Sequence, residues 1–111
     1  MTGNFKYRYL FLLVAITCAC NSSKITDTKK DEANPELILA KERVPGITME
    51  QLKHGSRLYI RNCSACHALH KPEQYTVQQW HPILVKMFPK AKIRDSATKV
   101  LITNYLAAKS K

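Results

Sequence analysis

Cys63, Ser64, Ala65, Cys66 and His67 place two thiols and one imidazole within five residues of a 111-residue chain. Positions i, i+3 and i+4 share one face of a helix, so these three side chains are expected on one side of a helix end. Two thiols can add to the vinyl groups of a porphyrin as thioethers, while the imidazole reaches the iron. The spacing C-x-x-C-H is the attachment signature of c-type haem. Three rivals exist. A thioredoxin-like dithiol needs a βαβ setting, and no alternating strand pattern accompanies this motif. A structural zinc site needs four ligands; His54, His70 and His81 could be recruited, but there is no second Cys pair in the domain. A motif this short also arises by chance.

The amino terminus bears on the choice. Lys6 and Arg8 precede an apolar run from Tyr9 to Ile16. That run is shorter than the roughly 20 residues that span a bilayer, and its charged-then-apolar order is that of an export signal. Small residues followed by cysteine and "NSSK" resemble a bacterial lipoprotein processing site. The resemblance implies a signal over residues 1–19 and lipidation of Cys20. Cys18 is the alternative, and Thr17 stands where such sites usually carry an aliphatic residue. Lipid chains would hold the protein on a membrane without a spanning helix. Loss of the signal removes Cys18, and lipidation uses Cys20. Cys63 and Cys66 then remain, and a bridge between them closes too small a loop to add much stability.

Residues 20–44 are mostly polar and mixed in charge, and they read as a flexible tether with at most a short helical turn after Pro35. The domain is expected over 45–111. Its pattern is all-α. Thr48 with Gln51 forms a capping box ahead of a helix over Met49–Cys66, with Leu52, Gly55, Leu58 or Tyr59, and Asn62 or Cys63 along one stripe. Thr76 with Gln79 forms a second box before Trp80, Ile83, Leu84 and Met87, and Pro82 should kink this helix or delay its start. Asp95 or Ser96 caps a third helix, where Ala97, Val100, Leu101, Asn104 and Tyr105 recur at spacings of three and four. Some 67 residues of short helices bury a thin core, and domains of this size usually need a staple.

From Pro45 to Lys111 there are eleven Lys or Arg against Glu50, Glu73 and Asp95. Such a field speeds encounter with an acidic partner or an anionic surface, although solvated lysines are also the default on any surface. Nucleic acid is not indicated, because no aromatic-plus-basic recognition motif appears.

Beyond the pentapeptide, Gly55 lies eight residues before Cys63 and Tyr59 four before it. The closing stretch "VLITNYLAAK" carries Leu101, Tyr105 and Leu106, and the middle reads "YTVQQWHPILVKMF". Over Thr48 to Ala108 the chain resembles the class I monohaem cytochrome c family, compact lipoprotein-type members in particular. The resemblance implies a small domain of three to four helices around one haem c held by Cys63 and Cys66. It implies a close crossing of the terminal helices at Gly55, with Tyr105 packed across it. His67 would be one axial ligand and Met87 the other; Met49 lies on the wrong side of the motif, and His81 and then His70 are the next candidates. An open sixth site, as in a gas sensor or peroxidase-like enzyme, is the functional alternative. The resemblance further implies that the Pro72 carbonyl accepts the free His67 ring N–H, and that Tyr59, Tyr75 and Trp80 line or cover the macrocycle. The implied activity is one-electron transfer in the bacterial periplasm or envelope, without enzymatic turnover. The partner would be an acidic redox protein or membrane electron-transfer complex, met by a basic rim of Lys53, Arg57, Lys86, Lys90, Lys92 and Arg94.

Overall fold

The computed structural model describes residues 31–111. The expected signal, Cys18 and Cys20 lie outside the described residues. Four α-helices lie wholly within them: α1 (Pro35–Arg43), α2 (Met49–Cys63), α3 (Val77–Lys90) and α4 (Ser96–Lys109), with a 3₁₀ turn at Pro72–Gln74. The domain is all-α. None of the described helices is long and apolar enough to cross a membrane.

The helix starts follow the local chemistry. Gln51 N donates to Thr48 Oγ1 at 3.1 Å while Thr48 N donates to Gln51 Oε1 at 3.0 Å. The same reciprocal pair joins Thr76 and Gln79. Asp95 is the cap of α4, accepting from Thr98 N at 2.7 Å, and hydrogen bonding by the Thr98 side chain, then by this amide, holds its carboxyl below the ordinary range. Each cap satisfies an amide that the first helical turn leaves without a partner. Pro82 does not delay α3, which begins at Val77 and runs through both Pro82 and Pro89. At its far end Lys92 takes φ 57°. Lys92 N donates to the Pro89 carbonyl and Ile93 N to that of Phe88. This is a Schellman closure with lysine where glycine is usual, and it turns buried Ile93 back into the core.

The supposed tether is structured from Pro35 onward. Asn34 caps α1 by accepting from Glu36 N at 2.9 Å, and Leu37 and Ala40 are buried in a cluster with Ile47, Met49, Leu52 and Ala108. Arg43 Nη1 donates to the Ala108 carbonyl at 3.3 Å, and Lys109 pairs with Glu36 at 2.9 Å. The packed domain therefore starts about ten residues before the expected boundary at Pro45. Gly46, at φ 80°, lets the chain reverse between α1 and α2 in the left-handed conformation that side chains disfavour.

The main core joins Leu58, Tyr59, Trp80, Leu84, Ile93, Ile102 and Leu106. On α4 the deepest residues are Ile102 and Leu106, while Val100 and Ala97 are exposed. The expected stripe was rotated: Leu101 and Tyr105 lie at the α2 contact and are only half-buried. There α2 presents Gly55. A Cβ added at Gly55 would collide with the Leu101 carbonyl oxygen and lie 2.6 Å from Tyr105 Cβ.

Gly55→Ala weighs two opposed effects. Alanine favours a helix interior by about 1 kcal/mol over glycine, but its methyl meets backbone that cannot rotate away. Overpacking of this kind costs about 1–3 kcal/mol or more. The variant is expected to lose stability in urea unfolding; unchanged or raised stability would show that the crossing has slack.

Candidate cofactor site

The motif straddles a helix end. α2 stops at Cys63, three residues earlier than the pattern implies, and Ser64–Cys66 form a turn leading to His67. Ser64 N still donates to the Ile60 carbonyl at 3.3 Å, and Asn62 Nδ2 donates to that of Leu58 at 2.7 Å. Cys63 is half-buried against the main core, whereas Cys66 and His67 are exposed. Both thiols are free. Burial, and secondarily the neighbouring Cys66, pushes the Cys63 thiol above its ordinary pKa, so it stays protonated beside the apolar wall.

The loop after the motif is held by two buried aromatic side chains. Tyr59 Oη donates to the His70 carbonyl at 2.8 Å, and Trp80 Nε1 donates to the Pro72 carbonyl at 2.9 Å. Tyr75 stacks edge-on to Trp80 at 5.1 Å and to His70 at 5.4 Å between ring centroids. These contacts revise the role expected for Pro72, whose carbonyl serves the Trp80 indole. His67 Nδ1 instead lies 2.7 Å from the Ala68 carbonyl. A carbonyl only accepts, so in the neutral Nδ1–H tautomer this nitrogen donates to Ala68 and Nε2 is the one left to bind a metal.

Between this loop and α3 lies a cleft of ≈ 220 Å³. Cys63, Cys66 and His67 line it together with Tyr59, Trp80 and Met87. Leu69, Ile83, Leu84 and Ala91 make much of its remaining wall apolar, and Asn62, His70 and Lys90 add polar groups. Tyr75 and Pro72 are not among the lining residues; they act behind Trp80. His70 also lines the cleft, its ring 5.6 Å from that of His67. The Ile83–Leu84–Met87 wall was legible as an apolar helix face and Asn62 as part of the α2 stripe, whereas Leu69 and Ala91 carried no sequence signal.

Other expected residues fall elsewhere. His81 lines a separate groove with Val85, Phe88 and Thr103, so it is removed from the ligand set. Met49 is buried in the α1 cluster. Of the expected basic rim only Lys90 lines the cleft, and Lys53 and Arg57 line a different groove beside Glu36 and Lys109.

The donor set suits a haem. Among the described residues no three His, Cys, Asp or Glu side chains are grouped to hold a metal ion, which leaves a zinc site short of ligands. An iron that brings four ring nitrogens asks the chain for only two more. His67 and Met87 lie on one cleft, with two thiols beside them and apolar walls for a flat ring.

Tyr59 gives a pH signature. Its phenol is pushed up to about 12, chiefly by burial and then by Cys63 and Tyr105, against a smaller opposing effect of its bond to His70. An unfolded tyrosine ionises near 10. The Tyr59 contribution is therefore complete below about pH 10, declines as pH rises through the interval to about 12, and is gone above it. Tyr59→Phe should flatten the alkaline fall of unfolding free energy in that interval and remove one late-ionising phenol from the absorbance titration; identical curves would refute the assignment. Comparison with known protein families, with characterised proteins and with solved structures finds no match to the chain.

Proposed function

We propose that the chain is a one-electron carrier with a single covalently attached haem c, lipid-anchored at Cys20 in a bacterial envelope. The observation that carries this reading is the shared cleft, where two thiols, an imidazole with a free Nε2 and a thioether meet apolar walls. When bound, the haem supplies an iron that alternates between ferrous and ferric states.

The chain's own residues do the rest. Cys63 and Cys66 would fix the ring to the end of α2 through thioether bonds. His67 would offer Nε2 to the iron while the Ala68 carbonyl holds Nδ1–H, which sets the tautomer and makes the ligand more basic. Met87, half-buried on α3, is the second axial candidate, and thioether ligation raises a reduction potential relative to bis-histidine. Trp80, Tyr59, Ile83 and Leu84 keep water from the apolar side. Cys66, His67 and Lys90 are exposed, leaving an accessible side where an acidic redox partner can approach. Attachment outside the cytoplasm agrees with the export signal read from the sequence.

Exported protein made alongside haem-attachment machinery should carry the mass of one added haem, and Cys63→Ala/Cys66→Ala should not. The apo mass alone in the unaltered protein would end this reading. Met87→Ala should retain the covalent haem but lose the methionine–iron charge-transfer band, gain high-spin character and bind carbon monoxide readily when reduced. An unaltered spectrum would remove Met87 and leave His70 as the next residue to replace.

A further inference from the structure

A groove on the α1, α2 and α4 side is lined by Lys53, Ser56, Arg57, Tyr105, Lys109 and Glu36 over Met49 and Leu52. Its volume is ≈ 360 Å³. Glu36 is already neutralised by Lys109 at 2.9 Å. Among the described residues, Lys53 and Arg57 have no carboxylate within ion-pair distance, and they stand four residues apart on one face of α2. Ser56 and Tyr105 are half-buried, and each brings a hydroxyl donor. The groove thus sets three cations, one carboxylate and two hydroxyls above apolar side chains.

We propose that this groove binds the phosphate head of an anionic phospholipid and docks the domain on the membrane that holds its anchor. The inference rests on the lipidation of Cys20. Fifteen residues lie between Cys20 and Glu36, and their sixteen Cα steps span at most about 55 Å; the chain enters the domain at the groove's own wall. Cations near an anionic leaflet are attracted to it, and the attraction fades within a Debye length. The cleft is built from the far end of α2, the loop after it and α3, and it shares no lining residue with the groove, so docking here leaves the cleft free for a redox partner.

The test uses the lipidated protein on vesicles of phosphatidylcholine, with or without phosphatidylglycerol, read by flotation and by the rate of amine acylation at each lysine. Anionic lipid should slow labelling of Lys53 and Lys109 severalfold and leave Lys86 unchanged. Lys53→Gln/Arg57→Gln should abolish the protection of Lys109, whereas Lys71→Gln/Lys86→Gln, which removes the same charge elsewhere, should not. Equal loss in both double variants would reduce the effect to net charge and overturn the site. Equal protection by inorganic phosphate without vesicles would replace the lipid by a free phosphate. Protein that floats on neutral vesicles with labelling indifferent to anionic lipid would refute the groove and keep the anchor. Protein that floats only on anionic vesicles, through Lys53 and Arg57, would refute the anchor and keep the groove; flotation on neither would refute both.

Discussion

At Gly55 the backbone of α2 lies directly against the Leu101 carbonyl and the Tyr105 Cβ of α4. Helices usually stand 8–10 Å apart because side chains intervene; here one residue lacks a Cβ and the neighbour's carbonyl occupies that space. The rest of the domain is arranged around this contact. It lets Ile102 and Leu106 reach full burial against α2 and α3. It brings Tyr105 within 6.1 Å of Tyr59 between ring centroids. Cys63 comes eight residues after Gly55, roughly two helical turns, so the crossing sets where the motif meets the cleft.

The helices that build the cleft were largely legible, because capping boxes and apolar stripes are local signals. α1 was not. Its apolar content is one short cluster, Leu37 to Ala40, of which Leu37 and Ala40 are buried while Ile38 and Leu39 are exposed. What makes α1 a packed helix is a surface presented by Met49, Leu52 and Ala108, and that surface exists only after α2 and α4 have crossed. The inward face of α4 is hidden for a related reason: Leu101 and Tyr105 lie beside Ile102 and Leu106 as neighbouring apolar faces, and Gly55 on another helix decides which one turns inward.

The site divides along the same line. The thiols and imidazole were set by spacing, and Met87 by its place on the face of Trp80 and Leu84. The Pro72 carbonyl could not be assigned from sequence, because its donor is an indole eight residues downstream. The departure of His81 from the cleft, and the arrival of His70 in it, follow from the rotation of α3 and the path of a loop. Neither has a period in the sequence.

That loop has a mechanical character of its own. From Cys66 to Lys71 it contains no helix, yet the carbonyl of His70 and that of Pro72 just beyond are held by Tyr59 of α2 and Trp80 of α3, both nearly inaccessible to solvent. A surface loop ordinarily opens at little free-energy cost, ahead of the elements it joins. Here opening would draw a buried phenol and a buried indole from their acceptors and disturb the core they share. The segment beside His67 is therefore part of the cooperative unit, and it comes loose when α2 and α3 part rather than before.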